Sequence, residues 1–331
     1  MARLAAAFGS SHSVMLTCEL EDWLTRFRES DLRMPFFDAE GNKCSYGDIL
    51  AGARPNAADL VTADVITQRF KTTQAAMDEL KRRIAAAKLD VLVVLGDDQY
   101  ELFHDQHMPA IGIYYGDTIA NGARQPVAAE EWYKRAQMRR REPEHPVDYP
   151  AHRGLALHLI QGLVDREFDV SAISALPSGQ FEGHAYSFIH YRYLRGAERV
   201  VPIVPIFLNT YNPPNTPTPR RCVRLGSAIR ELVAAYPENI RIGLIASGGL
   251  SHFVVEEDLD RAVIDAIRRN DLEFLGGLDP RRLKAGSSEI RNWIAVASAA
   301  VDLKLDWIEY IPVYRTPALT GIGLGFAEWK T

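Results

Sequence analysis

Cysteine is scarce in this sequence, and no two cysteines form a pair. Cys18, Cys44 and Cys222 are the only three, and none belongs to a Cys-x-x-Cys motif. This spacing excludes a zinc knuckle and a disulfide framework, and it predicts reduced thiols in a cytoplasmic protein. Long apolar runs are also lacking, since none approaches the roughly 18 residues of a membrane span. The short apolar patch at residues 4–8 predicts a first buried strand rather than a secretory signal.

An excess of positive charge is absent as well. The 38 Lys and Arg residues are outnumbered by 43 Asp and Glu residues, which gives a net charge of -5. This balance argues against nucleic acid as a partner. The 331 residues are 47% hydrophobic and 24% charged, as in ordinary globular proteins. With no convincing linker, we expect one domain over residues 1–331, and base rates favour a homodimer.

Several common catalytic motifs are missing. The sequence contains no Gly-x-Ser-x-Gly elbow, which disfavours an α/β-hydrolase. It contains no Gly-x-Gly-x-x-Gly or Walker segment either, so dinucleotide or P-loop chemistry is a weak interpretation. The function must therefore be sought in other polar groups.

The pattern that is present alternates apolar strands with amphipathic helices. Such alternation predicts an α/β fold with a central, mostly parallel or mixed sheet flanked by helices. Pro202 and Pro205 fall in one apolar run and predict an edge or bulged strand there. The predicted strands are residues 4–8, 90–95, 200–208, 241–246 and 308–313, and the predicted helices are 219–235 and two segments with apolar faces at 66–84 and 259–267.

An arginine-rich stretch lies at residues 134–145 and includes Arg139, Arg140 and Arg141 in a row. One interpretation is a patch that binds an anion or a partner. Charge runs more often form the solvated end of a helix, and this is the interpretation we favour for the stretch.

Three histidines occupy turns of small residues. His12 and His252 directly follow predicted strands or their turns, and His184 lies between Gly183 and Ala185. Taken singly, each histidine is more often structural than functional. Because loops at strand ends are where α/β sheets bind ligands, three such placements favour a site. Histidine together with carboxylate is the ligand set of a mononuclear iron or zinc centre.

Four short motifs carry a family resemblance. Residues 10–12 read Ser-Ser-His, 183–184 read Gly-His, 248–252 read Gly-Gly-Leu-Ser-His and 286–289 read Gly-Ser-Ser-Glu. In this order they resemble the type II (class III) extradiol ring-cleaving dioxygenases, of the protocatechuate 4,5-dioxygenase β-subunit kind. The chain is most similar to single-chain enzymes acting on gallate or 3-O-methylgallate, because it carries extra residues between the first two motifs. The resemblance implies Fe(II), a small aromatic diol and O2.

The resemblance also implies roles for individual residues. His12 and Glu289 would be metal ligands, and His252 would be the catalytic base. His184 would lie on the oxygen side and act as an acid, its alternative being a hydrogen-bonded core histidine. A neutral imidazole can take the remaining diol proton at neutral pH.

Substrates of this family commonly carry a carboxylate, which a cation should meet. Tyr314 and Arg315 lie in a turn that aligns with a substrate-contacting turn of the family. A guanidinium fits a carboxylate bidentately, whereas a surface arginine would simply be solvated. Ser13 would either hydrogen-bond a ring hydroxyl or cap a helix start.

One position departs from the family pattern. The second iron ligand of the family is the histidine of an Asn-Asp-His motif, and here residues 97–99 read Asp-Asp-Gln. An amide oxygen is a poorer ligand for Fe(II) than imidazole. Gln99 therefore ligates through its oxygen, or Glu101, His104 or His107 takes its place, or the metal is lost. Retention of the other ligands favours a metal site.

Three functions follow from these alternatives. The leading hypothesis is an Fe(II)-dependent extradiol dioxygenase that opens a gallate-like or other catecholic carboxylate. The second is a related metalloenzyme whose chemistry is altered at Gln99. The third is a catalytically silent homologue that acts as a binding protein.

Overall fold

A computed structural model describes residues 1–123 and 131–331 of the chain. Its strands are β1 (Arg3–Ser10), β2 (Phe36–Phe37), β3 (Lys43–Cys44), β4 (Val91–Gly96), β5 (Ile111–Tyr114), β6 (Thr118–Asn121), β7 (Val147–Pro150), β8 (Ser171–Ile173), β9 (Ile203–Leu208), β10 (Arg241–Ser247), β11 (His252–Val254), β12 (Lys304–Tyr314) and β13 (Thr320–Lys330).

The α-helices are α1 (Leu20–Leu24), α2 (Arg26–Asp31), α3 (Tyr46–Ala51), α4 (Ala63–Ala86), α5 (Trp132–Met138), α6 (Arg153–Val164), α7 (His184–Ile189), α8 (Pro219–Ala235), α9 (Glu257–Arg268), α10 (Leu272–Gly276) and α11 (Ile290–Ala299). Short 3-10 turns lie at Val14–Thr17, Ala57–Val61 and Ala285–Glu289, and a π-helical turn follows α7 at His190–Leu194. Of the helices described, none is both long and apolar enough to span a bilayer.

Nine of these strands form one mixed sheet. Its order is β11-β13-β1-β10-β4-β9-β5-β8, and β12 pairs with β13. The centre is parallel, since β1, β10, β4 and β9 all run in the same direction. Antiparallel pairs with β13 extend one side, and β5 joins the other side antiparallel to β9. The expected central mixed sheet flanked by helices is confirmed.

The sheet is buried on both faces. Alternate residues of β4 point to opposite sides, because side chains alternate along a strand. Val91, Val93 and Leu95 pack with α6, α8, α9 and α11. Leu92 and Val94 pack with α4 and α7 on the other face. This double burial explains why the strand reads as a continuous apolar run.

Local signals fix the two long helices as the sequence predicts. Helix α8 begins at Pro219, and the side chain of Thr218 caps it by accepting from the backbone N–H of Arg221. Helix α4 begins after Thr62, which accepts from Val65 in the same way. The apolar face of α4, from Ile66 to Ile84, is the one that packs on the sheet.

The prediction of an edge or bulged strand at residues 200–208 is wrong. Strand β9 lies inside the sheet, between β4 and β5, and only Pro205 of the two prolines belongs to it. Strand β5 pairs only with the last three residues of β9, from Ile206 onward. Pro205 therefore lies beyond that ladder, where its missing N–H leaves no hydrogen bond unmade.

The prediction of a last strand at residues 308–313 is incomplete. That segment belongs to the longer β12, and β13 follows it as an antiparallel partner. The glycines at 321, 323 and 325 hid β13, because glycine lowers strand propensity. They are needed for close packing, since a Cβ on Gly323 would lie 2.1 Å from a carboxylate oxygen of Asp260.

All ten residues of helix α11 are buried. It packs against α8 at Gly226, where an added Cβ would lie 2.0 Å from the backbone oxygen of Ala295. Backbone atoms cannot move aside as a flexible side chain can, so glycine is required at this crossing.

Replacing Gly226 by alanine should therefore lower the free energy of unfolding by about 2 kcal/mol, because overpacking outweighs the gain in helix propensity. Denaturant unfolding measures the loss. Gly276→Ala, in helix α10, is the matched control, because the added Cβ would have no neighbouring atom closer than 3.5 Å. Equal stability of the two variants would contradict the close packing of α8 on α11.

Candidate active site

Three adjacent parallel strands end at the same edge of the sheet and supply the first residues of the site. The strands β1, β10 and β4 are neighbours in this order. Their carboxyl ends lead to His12, Gly248 and Asp97, at the edge where such sheets bind ligands. His184 at the start of α7 and Glu289 just before α11 reach the same place.

Four buried side chains from these segments converge. His12 Nε2 lies 3.4 Å from Glu289 Oε2 and 3.6 Å from Asp97 Oδ1. His184 Nε2 lies 3.1 Å from His12 Nε2 and 3.7 Å from Asp97 Oδ2. One ligand atom from each of the four residues lies within 4.8 Å of all the others. Nitrogen and oxygen ligands bind a metal ion at about 2.0–2.2 Å. The four ligand atoms would therefore need to move only slightly closer together to surround one ion.

Hydrogen bonding fixes the tautomer of His12. Its Nδ1 lies 2.9 Å from Ser247 Oγ, and that hydroxyl donates its proton to the backbone oxygen of Ala185 at 2.8 Å. Ser247 Oγ is therefore an acceptor for His12, so Nδ1 carries the proton and Nε2 holds the lone pair. His12 therefore directs its Nε2 toward the two buried carboxylates and toward His184 Nε2.

The two carboxylates of the cluster are in different surroundings. Glu289 Oε1 lies 3.3 Å from His252 Nε2 and 3.4 Å from the donating Gln99 Nε2. Although burial opposes it, neighbouring imidazoles, first that of His252, hold the pKa of Glu289 well below its usual range. Burial and the charge of Glu289 raise the pKa of Asp97. Asp97 Oδ1 has no hydrogen-bond partner among the residues described.

Glycines allow the backbone to come this close. A Cβ on Gly248 would lie 2.9 Å from the Cβ of Glu289, and the next residue, Gly249, donates its N–H to Glu289 Oε2 at 2.6 Å. A Cβ on Gly286 would fall within 1.8 Å of the ring of His252. The Gly-Gly and Gly-Ser-Ser-Glu motifs therefore hold a carboxylate and an imidazole where side chains would collide.

His184 is held by a carboxylate on its far side. Its Nδ1 lies 2.6 Å from Glu101 Oε2, and its backbone N–H donates to the same oxygen at 2.8 Å. Burial lowers the pKa of His184, but the charges of Glu101 and Asp97 outweigh burial and raise it to about 9. In the absence of an ion, His184 is therefore protonated at neutral pH.

His252 presents its Nε2 to the cluster. Its Nδ1 lies 2.9 Å from the backbone oxygen of Leu250, which can only accept, so Nδ1 is the donor. Burial lowers the pKa of His252, and the carboxylate of Glu289 raises it by more. The side chain is 8% exposed and lines the cavity described next.

A cavity of about 350 Å³ opens over the cluster. Arg315 lines it, with its Nε 2.8 Å from Asp31 Oδ2. That oxygen also accepts from Thr320 at 2.6 Å. Arg315 is therefore already neutralised by an internal carboxylate. The remaining walls are partly apolar and partly polar, and they include Phe27, Met34, Tyr133, Gln137 and Ile322.

Arg140 also lines the cavity, which corrects the prediction of a solvated helix end. Its side chain is only 6% exposed, and its Nε has no hydrogen-bond partner among the residues described. The nearest carboxylate oxygen, Oε1 of Glu101, lies 3.9 Å from Nη2. Burial lowers the pKa of Arg140 to about 10, so the guanidinium remains charged at neutral pH.

The structure brings together most, but not all, of the residues singled out in the sequence. His12, His184, His252, Glu289, Gln99, Ser13 and Arg315 all line the cavity. Ser13 also caps the following 3-10 turn by accepting from Met15. Tyr314 is not among the cavity residues, and its hydroxyl instead bonds Glu257 and Arg54.

The candidates for the third ligand also separate. Gln99 reaches the cluster, but it donates its Nε2 to Asp97 Oδ2 at 3.1 Å. Glu101 lines the cavity and binds His184. His104 and His107 are exposed, and His107 lines a different cavity.

Two residues of the site were missed in the sequence. Asp97 directly follows the buried strand β4, and this position was a signal for it. Arg140 carried no separate signal, because nothing in a row of arginines shows which one turns inward.

Comparison with known proteins agrees with this geometry. Residues 62–324 match the family described as the catalytic LigB subunit of aromatic ring-opening dioxygenase. The chain is 29% identical over 206 residues to a gallate dioxygenase of Pseudomonas putida, which covers 55% of each chain. It is 28% identical over 204 residues to a 2,3-dihydroxyphenylpropionate/2,3-dihydroxicinnamic acid 1,2-dioxygenase of Comamonas testosteroni, covering 61% of this chain and 53% of that protein. The alignments thus span about half the length of these relatives.

Replacing Asp31 by alanine should leave Arg315 as an unpaired buried cation and lower the free energy of unfolding by about 3–5 kcal/mol. Chemical denaturation measures the change. Asp302→Ala is the control, because it breaks an exposed pair with Arg230 and should cost under about 1 kcal/mol. A loss no larger than that of the control would show that Arg315 does not depend on Asp31.

Proposed function

We propose that this chain, which belongs to the family of the catalytic LigB subunit of aromatic ring-opening dioxygenases, opens the ring of a catecholic carboxylate with O2 at a ferrous ion. The observation that carries the proposal is the convergence of His12, Asp97, His184 and Glu289 at the base of one cavity. The relative named gallate dioxygenase supports a gallate-like substrate.

The donor set fits the ion that the family implies. His12 and Glu289 would hold it, and imidazole and carboxylate are both ligands that Fe(II) accepts. Among the residues described, Oδ1 of Asp97 has no hydrogen-bond partner, and this oxygen and the nearby Nε2 of His12 are the atoms that a cation would contact. When bound, the ion lowers the pKa of the diol hydroxyls and offers a coordination position for O2.

His252 would be the general base. Because its Nδ1–H is engaged with the Leu250 oxygen, its Nε2 is the atom that can accept a hydroxyl proton from the diol. Its place on the cavity wall gives it access to the substrate. The carboxylate of Glu289 beside it stabilises the imidazolium that forms.

His184 would be the proton donor. The carboxylate of Glu101 anchors its Nδ1 and keeps the ring charged, while Nε2 faces the cluster. His252 and His184 would therefore have opposite roles in proton transfer, because their hydrogen-bond partners differ. A carboxylate supports the donor ring, and a backbone oxygen orients the acceptor ring.

Arg140 would meet the carboxylate of the substrate. Arg315, which the family resemblance favours, has Asp31 as its internal partner, whereas Arg140 has no carboxylate within 3.5 Å among those described. A buried guanidinium without a close partner gains most from an incoming anion.

Gln99 gives weight to a second candidate, a related metalloenzyme with altered chemistry. The amide donates to both carboxylates of the cluster, where the family has an imidazole ligand. In that case the ion would be retained without ring cleavage.

Ferrous chemistry and three free thiols suit a reducing compartment, so we propose a cytoplasmic location. The homodimer stays a prediction.

Protein reconstituted with Fe(II) without oxygen should consume O2 when given gallate, 3-O-methylgallate or protocatechuate, with loss of the aromatic absorbance. An oxygen electrode and product spectra measure both. His252→Phe should retain iron and lose uptake because the base is removed, while His145→Phe, at an exposed position, should remain active. Iron retention without O2 uptake on any diol would favour the altered metalloenzyme, and absence of metal would favour the silent homologue.

Arg140→Met should raise KM for the carboxylated diol about 10- to 100-fold, because a hydrogen bond to a charged group contributes about 1.5–3 kcal/mol. KM for pyrogallol, which has the ring without the carboxylate, should change little. Arg139→Met is the neighbouring control, since Arg139 is half-exposed and paired with Glu19. Equal losses for both substrates would show that Arg140 does not recognise the carboxylate.

A further inference from the structure

The residue that takes the place of the missing histidine ligand can be sought among the side chains around Gln99. Gln99 itself directs its Nε2 to Asp97 Oδ2 at 3.1 Å and to Glu289 Oε1 at 3.4 Å. An amide that donates hydrogen bonds to two carboxylates holds both of them in position. Its oxygen is therefore the atom of the amide turned away from these two carboxylates.

Asp97 is placed as a ligand would be. It is 0% exposed and directly follows β4, the central strand beside β10. Its Oδ2 accepts from Gln99, while its Oδ1 has no hydrogen-bond partner in the described part of the chain. That oxygen lies 3.6 Å from His12 Nε2.

The charges around Asp97 demand compensation. Asp97 and Glu289 are both buried, and both face His12 Nε2. Placing two buried carboxylates this close together is costly unless positive charge lies among them. A divalent ion would neutralise both carboxylates at once.

His184, the nearest alternative ligand, is hydrogen-bonded to Glu101 on its other side. Its Nδ1 lies 2.6 Å from the carboxylate of Glu101, and its backbone N–H binds the same oxygen. This pairing fixes the orientation of the ring, and the proposed function uses its Nε2 as the proton donor.

We propose that His12, Asp97 and Glu289 hold the ion, with Asp97 in the place of the family's second histidine and Gln99 as a positioning residue that clamps the two carboxylates. The inference deepens the proposed function and rests on it only in requiring a divalent ion. It assigns one imidazole and two carboxylates to the ion. Such an oxygen-rich set suits Mn(II) better than a two-histidine set does.

The test uses Mn(II) alone as the probe, with the full-length protein and no substrate. Binding is followed by the electron paramagnetic resonance signal of free Mn(II). Asp97→Asn should weaken binding more than about 100-fold, because loss of a ligand exceeds the 10- to 100-fold cost of losing a supporting contact. Gln99→Ala should cost about 10- to 100-fold. Asp105→Asn, which removes an exposed charge from the same loop, should bind as the wild type does.

A rescue and a second measurement guard against misfolding. The ion-free Asp97→Asn protein should melt no lower than the wild type, since an unpartnered buried charge is removed. Adding Gln99→His to Asp97→Asn should recover at least about 10-fold in affinity, because imidazole can replace the carboxylate. Independently of any variant, pulsed resonance of wild-type protein with bound Mn(II) should detect the nitrogen of one imidazole.

The outcomes separate this inference from the proposed function. Wild-type affinity in Asp97→Asn, or two imidazoles on the ion of the wild-type protein, would overturn the role of Asp97 while leaving the ring-opening activity intact. Failure of the wild-type protein to bind Mn(II) or Fe(II) would overturn both.

Discussion

The structure depends on one electrostatic constraint at the end of its central sheet. Two buried carboxylates face each other across the buried Nε2 of His12, at the base of the cavity. Such an arrangement persists only because the surrounding fold imposes it, and folds impose unfavourable contacts at functional sites. Ser247, Gln99 and the glycines near Glu289 each hold one component of this arrangement. The chemistry of the site follows from what relieves the constraint.

The internal carboxylate nearest to each arginine of the cavity sets how far its charge is already balanced. Arg315 is balanced by Asp31, and this pair forms part of the wall. Arg140 is nearly as deeply buried, but in the described part of the chain its nearest carboxylate is Glu101, at 3.9 Å. Two arginines that line one cavity thus differ in how closely a carboxylate balances their charge. Burial alone would not have distinguished them.

Sequence reasoning succeeded where a local rule decides and failed where a tertiary contact does. The strand β4 and the helices α4 and α8 follow from apolar periodicity and capping, and His12, His252 and Glu289 follow from motifs. Strand β9 was placed at an edge because the end of its ladder with β5 depends on another segment. The inward turn of Arg140 was missed for the same reason, whereas Asp97 had a local signal in its place directly after β4. Glycine-rich β13 looked like a loop because its packing partners lie far away in the chain.

The enclosure of α11 has a consequence for how fast the site can exchange its contents. Glu289 immediately precedes α11, a helix in which every residue is buried. Segments of this kind exchange their amide hydrogens only when the whole molecule opens. Fraying cannot carry this carboxylate away, so an occupant has to leave through the mouth of the cavity while the walls stay in place. Residence time would then be governed by the width of that opening and scarcely at all by the breathing of the scaffold.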